Sequence, residues 1–140
     1  MKGTTYAMLG AAALATLILG MVMVLYPSDG ARQTRFMKEL HADFFASRQA
    51  LEDFARETRV QHSEEIDFAS IRETPLGRRI RNVTRDANGN LYFILRDSTV
   101  TSNVGLVCRN GVAELLGDQR EPKVDHTVKI VGAWYYYHAS

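Results

Sequence analysis

A single cysteine and four histidines are the residues of this chain best suited to chemistry of their own. Cys108 is a candidate nucleophile and His126 a candidate base, because a thiol activated by an imidazole is a common arrangement for covalent catalysis. The apolar alternation through Val104 and Leu106 instead predicts that Cys108 is buried on one face of a strand. We therefore predict no catalytic residue, and an enzyme that uses Cys108 and His126 stays an alternative.

The spacing of the possible metal ligands does not indicate a metal site. Zinc sites are typically built from closely spaced pairs, and no His-x-x-x-His or Cys-x-x-Cys pair occurs among these residues: His41, His62, His126, His138 and Cys108. Asp86-Ala87-Asn88-Gly89-Asn90 resembles the start of a calcium loop, but Leu91 stands where such a loop needs glycine. His41, close to Asp43, is interpreted as part of a solvated helix face. We predict no metal, no cofactor and no small-molecule substrate.

The aromatic run near residue 135 is a candidate contact surface. Strand alternation sends Trp134 and Tyr136 to one face and Tyr135 and Tyr137 to the other. We expect the first pair to fill the core. The second pair is expected to be exposed, where tyrosine is frequent among the residues that dominate protein interfaces.

A basic cluster, Arg78, Arg79 and Arg81, is the second candidate contact surface. It is either a solvated start of a strand or a contact to acidic groups, including anionic lipid headgroups. The chain as a whole is balanced, with 17 Lys and Arg against 16 Asp and Glu. Such a balance gives no long-range attraction to nucleic acid, so nucleic acid is not an expected partner.

The elements that carry these residues follow an apolar segment. Residues 7–26 contain no charged side chain, and as a helix they would span about 30 Å, the thickness of a bilayer's hydrocarbon core. Tyr6 and Tyr26 flank the segment, at the level expected for amphipathic rings. We predict a transmembrane anchor at 1–26 and a linker at 27–31, with a cleaved signal peptide as the alternative.

The anchor predicts a location in the inner or plasma membrane, crossed once. A short N-terminal tail that carries Lys2 is typical of an anchor that exports the following domain. Residues 32–140 are therefore expected on the extracytoplasmic side. The opposite orientation stays open, because Arg32, Arg35 and Lys38 follow the apolar segment.

The soluble part, 32–140, predicts one small α+β domain. There is no Gly or Pro from Ala31 to Thr74, and apolar residues recur there at helical spacing: Phe36, Leu40, Phe44, Leu51 and Phe54. We expect a long amphipathic helix at 32–58. Its apolar stripe is expected to pack on an antiparallel sheet at about 79–138.

Strand-prone segments and turn signals define that sheet. Asn88-Gly89 predicts a two-residue hairpin turn between Ile80–Arg85 and Leu91–Leu95. Asn110-Gly111 predicts a second hairpin, between Gly105–Arg109 and Val112–Leu115. With a last strand ending at His138, the expected architecture is a meander of about five strands packed against the long helix.

Two stretches resemble a group of small bacterial proteins of unassigned activity. Ile130–Ala139 and Asn90–Leu95 are similar to proteins that have one N-terminal membrane helix and a C-terminal W-Y-x-Y strand. This resemblance implies the architecture and brings no activity with it. The layout is also similar to that of type IV pilins, with Gly3 in the place of the prepilin cleavage glycine. Met8 stands where that family has an acidic residue, and the pilin-type disulfide is missing.

These observations predict a non-enzymatic, single-pass membrane protein. Its domain is expected to be an accessory subunit or protein-interaction module of a membrane complex. The expected partners are the membrane, through residues 7–26, and a protein. A pilin-like or pseudopilin-like structural subunit is the first alternative, and the enzyme is the second.

Overall fold

The computed structural model describes residue 18 and residues 31–61, 65–96, 104–115 and 124–139. Within these ranges the chain forms one long α-helix, two short 3₁₀ helices and five strands. The predicted class is confirmed: the fold is α+β, with a long helix packed against a five-stranded antiparallel sheet.

The long helix, α1, runs from Ala31 to Arg59, one residue beyond the expected bounds at each end. Its buried residues recur every three or four positions, with two adjacent pairs among them, so they form one stripe on the helix surface. They are Met37, Leu40, His41, Phe44, Ser47, Leu51, Phe54, Ala55 and Thr58. This stripe faces the sheet, and two charged residues of α1, Asp43 and Arg59, contact Arg79 and Cys108 beside it.

An arginine from the sheet caps the C-terminal end of α1. Arg85 Nη1 donates to the carbonyl oxygens of Thr58, at 3.0 Å, and of Gln61, at 2.9 Å. The Thr58 carbonyl also accepts from the Gln61 N–H at 3.2 Å, and a guanidinium at this end of the helix complements the helix dipole. The contact fixes the end of α1 against the first strand.

Two 3₁₀ helices, η1 (Ala69–Ile71) and η2 (Gly77–Arg79), connect α1 with the sheet. Ser47 attaches this connection to α1, because its Oγ donates to the Asp43 carbonyl at 2.8 Å and accepts from the Leu76 N–H at 2.9 Å. The Leu76 side chain is fully buried beside it.

The strands are β1 (Ile80–Arg85), β2 (Leu91–Leu95), β3 (Val104–Cys108), β4 (Val124–Val131) and β5 (Trp134–Ala139). Their order in the sheet is β1-β2-β3-β5-β4, and every neighbouring pair is antiparallel. Because β5 lies between β3 and β4, the sheet is not the simple meander that was expected.

The first hairpin has the predicted strands and a longer turn. Arg85 and Leu91 are the last paired residues, so Asp86 to Asn90 form a five-residue loop instead of a two-residue turn. The Asp86 N–H donates to the Asn90 carbonyl at 3.1 Å, and Gly89 has a φ of 84°. Glycine is favoured at such a backbone position because it has no Cβ.

The second predicted hairpin is wrong. Val112–Leu115 forms no strand, because Asn110 is held by the first loop: its N–H donates to Asn90 Oδ1 at 2.8 Å. A tight hairpin forms instead between β4 and β5. Its two-residue turn is Gly132-Ala133, closed by the pair Val131 and Trp134, with Gly132 at a φ of 56°.

The main core lies between α1 and the inner face of the sheet. Four aromatic rings form a chain through it: Phe44 to Trp134 and Trp134 to Phe93 are each 5.4 Å between centres, and Phe93 to Phe54 is 5.9 Å. Such offset and edge contacts stabilise aromatic cores beyond area burial alone. A smaller cluster, Tyr92, Val107 and Tyr137, lies on the outer face.

Among the described residues, no helix combines the length and apolarity needed to cross a membrane. The predicted anchor, residues 7–26, lies outside the described part of the chain except for Ile18. Ile18 is helical and buried with the main core cluster.

Candidate functional site

The two tyrosines expected at the surface differ in exposure. Tyr137 is only 6% exposed, so the expectation of an exposed Tyr137 is wrong. Its ring meets Tyr92 edge-on at 5.7 Å and lies across Gly105 on β3. A Cβ at Gly105 would come within 2.5 Å of the ring, so the missing side chain of that glycine makes room for Tyr137. This explains the burial of Tyr137.

Tyr135 is half-buried and keeps part of its ring accessible. The guanidinium of Arg109 lies over that ring, 5.5 Å from its centre, in a cation–π arrangement. The register partner of Tyr135 on β4 is Lys129, which is exposed. Tyr135 therefore lies beside the edge strand β4, with part of its ring accessible to solvent.

The basic cluster divides into a structural residue and a surface pair. Arg79 Nε donates to Asp43 Oδ2 at 2.7 Å, and its guanidinium lies 5.8 Å from the ring centre of Phe36. Arg79 therefore joins η2 to α1 and does not extend outward as a contact residue. Arg78 and Arg81 are exposed.

Exposed cations collect at one end of the domain. The contacts of Arg79 with Asp43 and of His41 with Tyr136 place the first turns of α1 at the end of the sheet where β1 begins and β5 ends. The exposed cations there are Arg35, Lys38, Arg78, Arg81 and Arg96, and we call this group the basic end. The basic end is thus the end from which α1 starts.

The structure does not bring Cys108 and His126 together. Cys108 pairs with Trp134 and His126 with His138, so the two positions are four residues apart along β5, about 13 Å at the rise of a strand. Cys108 is buried beside Arg59, whose Nη2 donates to its Sγ at 3.2 Å. Burial raises the pKa of the Cys108 thiol, and the nearby Arg59 charge opposes that change only in part.

His41 is not on the solvated face where it was expected. It is 7% exposed, and its Nδ1 lies 3.2 Å from the Tyr136 hydroxyl, inside the core. Burial lowers the pKa of His41 below its ordinary value of 6.5 and raises that of Tyr136. The pair is a neutral polar contact between α1 and the central strands.

The calcium-like segment is a hydrogen-bonded loop. Asp86 Oδ1 accepts from the N–H groups of Asn88, at 2.9 Å, and Asn90, at 3.0 Å. Asp86 Oδ2 accepts from Asn90 Nδ2 at 2.9 Å and from the Tyr92 hydroxyl at 2.8 Å. Both carboxylate oxygens therefore hold the turn together and join it to the outer face of the sheet.

Sequence reasoning missed a histidine pair. His126 and His138 are direct partners across β4 and β5, with ring centres 6.2 Å apart and ring planes at 31°. The signal was present: both residues lie six positions from Gly132, since 132 − 126 and 138 − 132 are both 6. Equal spacing from Gly132 predicts that the two histidines pair only if the chain forms a hairpin there. That hairpin was not predicted.

Comparison with protein-family models, with curated proteins and with solved structures finds no match for this chain.

Proposed function

We propose that this chain is a single-pass membrane protein whose α+β domain is an accessory subunit or interaction module of a membrane complex. Residues 7–26 would be the anchor, and the domain would contact a protein partner through another surface. The observation that carries the proposal is the position of the basic end at the start of α1.

The basic end supports a membrane-proximal orientation. The apolar segment ends at residue 26 and α1 begins at residue 31, so an anchored domain would have the first turns of α1 close to the bilayer. Anionic lipid headgroups attract exposed lysine and arginine residues that lie near a membrane surface. The exposed cations at this end, Arg78 and Arg81 among them, fit that setting.

The surface proposed for the protein partner is the β4 edge with Tyr135. β4 is the last strand in the sheet order, and an edge strand offers backbone donors and acceptors to another chain. His126, Thr127 and Lys129 are exposed along it. Tyr135, on the neighbouring strand, adds a partly accessible aromatic ring of the kind that dominates many interfaces.

The test is affinity purification of the tagged full chain from membranes in mild detergent, with mass spectrometry of the proteins that co-purify. We expect one defined complex in stoichiometric amount. Replacing Tyr135 with Ala should reduce its recovery, because it removes the aromatic contact. Gln49→Ala is the control, since Gln49 is exposed on α1 and its side chain donates to Asp53 of the same helix.

Two outcomes would contradict the proposal. Recovery of the chain in the soluble fraction would reject the anchor. It would agree with the burial of Ile18 in the core of the domain. Recovery of the chain alone from membranes would reject the accessory subunit. The pilin-like alternative predicts a mature chain that starts at Thr4, which intact-mass measurement would detect.

A further inference from the structure

The histidine pair at the β4–β5 hairpin has the geometry of a pair of metal ligands. His126 and His138 face each other on neighbouring strands, and their ring planes are only 31° from parallel. Two nitrogens bound to one zinc ion, each at about 2.0–2.1 Å, are at most about 4 Å apart. Ring nitrogens lie off the ring centre, so side-chain rotation can bring one nitrogen of each ring to this separation from centres that are 6.2 Å apart.

One nitrogen of the pair also lacks a hydrogen bond. Nδ1 of His138 is buried and has no hydrogen-bond partner within the described part of the chain. Buried polar atoms nearly always have a partner, so an unsatisfied one needs an explanation. This nitrogen of His138 is therefore an unsatisfied polar atom beside the pair.

One side of the histidine pair faces the core, and the other faces solvent. On β3 the register partner of His138 is Val104, a buried apolar residue, so that side of the ring is closed. His126 is exposed, so the other side is open to solvent. Two imidazoles and water suit late first-row divalent metals such as zinc, nickel and copper, whereas magnesium and calcium prefer oxygen ligands.

We propose that His126 and His138 form a two-histidine binding site for a late first-row divalent transition metal. The bound metal links the edge strand β4 to the inner strand β5. The pairing of β4 and β5 is irregular between Val124 and His126 and again between Lys129 and Val131. A metal bridge at His126 therefore holds the edge strand at a place where the hydrogen-bond ladder is interrupted.

The experiment titrates the full chain, in detergent and carrying a tag without histidine, with Zn²⁺ and separately with Cu²⁺ by calorimetry. We expect one bound ion per chain, with Cu²⁺ bound more tightly than Zn²⁺. His126→Gln should weaken binding at least about tenfold, because it removes one of two protein ligands. His62→Gln is the control, a histidine that is not part of the pair.

Hydrogen exchange gives a second measurement on the same variants. Zn²⁺ should slow exchange of the amides of Thr127 and Val128 in the wild-type chain and in His62→Gln, and should leave it unchanged in His126→Gln. Because His126 is exposed, this substitution leaves the core intact, which circular dichroism checks.

Three results would overturn the proposal. They are absence of Zn²⁺ and Cu²⁺ binding to the wild-type chain, unchanged affinity in folded His126→Gln, and loss of binding in His62→Gln. The last result would show that the ion binds elsewhere in the chain.

Discussion

At the scale of single residues, the pair His41 and Tyr136 shows how a polar group enters the core of this domain. The imidazole nitrogen and the phenol hydroxyl satisfy each other at 3.2 Å, and Phe45 packs edge-on against the histidine at a ring distance of 4.8 Å. A buried hydrogen bond contributes about 1 kcal/mol, but an unpaired partner costs about 1–3 kcal/mol. The pair therefore fixes the rotation of α1 over β5.

The pair makes stability depend on pH. Burial lowers the pKa of His41 in the folded chain below 6.5, its value when unfolded. The unfolded chain then binds the proton first as the pH falls. The contribution of His41 to the free energy of unfolding is therefore complete above pH 6.5 and is lost progressively as the pH falls through that value toward the folded pKa.

We predict that denaturant unfolding of the wild-type chain shows this loss and that His41→Gln shows less of it. Glutamine can still hydrogen-bond the Tyr136 hydroxyl, but it does not titrate. The difference between the two chains should grow by about 1.4 kcal/mol for each unit by which the pKa of His41 is lowered. Equal pH dependence in both chains would contradict the buried placement of this imidazole.

The residue types alone do not predict the burial of His41 and Tyr137. His41 has charged neighbours along the chain, and only its place in the stripe between Met37 and Phe44 indicates burial. Tyr137 follows the expected alternation to the outer face, yet it is buried because Gly105 on another strand leaves room for its ring. Contacts of this kind depend on which strands become neighbours, which local patterns do not specify.

At the scale of elements, the turn from η1 to η2 depends on one glycine. An added Cβ at Gly77 would lie 1.6 Å from the Ile71 carbonyl oxygen and 2.7 Å from Thr74 Oγ1. Both atoms belong to the hydrogen bonds of the turn, since Thr74 Oγ1 donates to that carbonyl and accepts from the Gly77 N–H. No rotation of a flexible side chain can relieve the clash.

We predict that Gly77→Ala lowers the free energy of unfolding by at least about 3 kcal/mol, at the upper end of the range for overpacking. Gly111→Ala is the control. Gly111 has a φ of 60° but nothing within 4 Å of an added Cβ, so its cost should be about 1–2 kcal/mol. Chemical denaturation compares the two, and a smaller cost for Gly77→Ala would contradict the close approach of these backbones.

Local sequence signals predict some elements of this fold and miss others. The helix and the first hairpin follow from local signals: an uninterrupted apolar stripe in α1, and strand-prone segments on both sides of Asn88-Gly89. Asn110-Gly111 carries the same turn signal, but Asn110 binds Asn90 and Asn88 of the first loop. Gly132-Ala133 forms the actual turn with a weaker signal, so the histidine pair that depends on it stayed hidden.

At the scale of the whole molecule, Cys108 reports on global unfolding. The thiol is 3% exposed, lies in the main core, and has a raised pKa, so little of it is thiolate in the folded chain. We predict that iodoacetamide labels Cys108 slowly in native conditions and rapidly in denaturant, with mass spectrometry as the readout. Rapid labelling of the native chain would contradict this placement and would favour the nucleophilic alternative.

The order of the strands also sets the order in which the sheet can be completed during synthesis. β3 leaves the ribosome before β5, and the two strands are direct neighbours in the sheet. Until residues 134–139 emerge, one edge of β3 is unpaired and its apolar side chains lack the cover of Trp134 and Tyr136. Unpaired edges of this kind promote aggregation. The nascent domain is therefore most open to aggregation in the interval between the synthesis of β3 and that of β5.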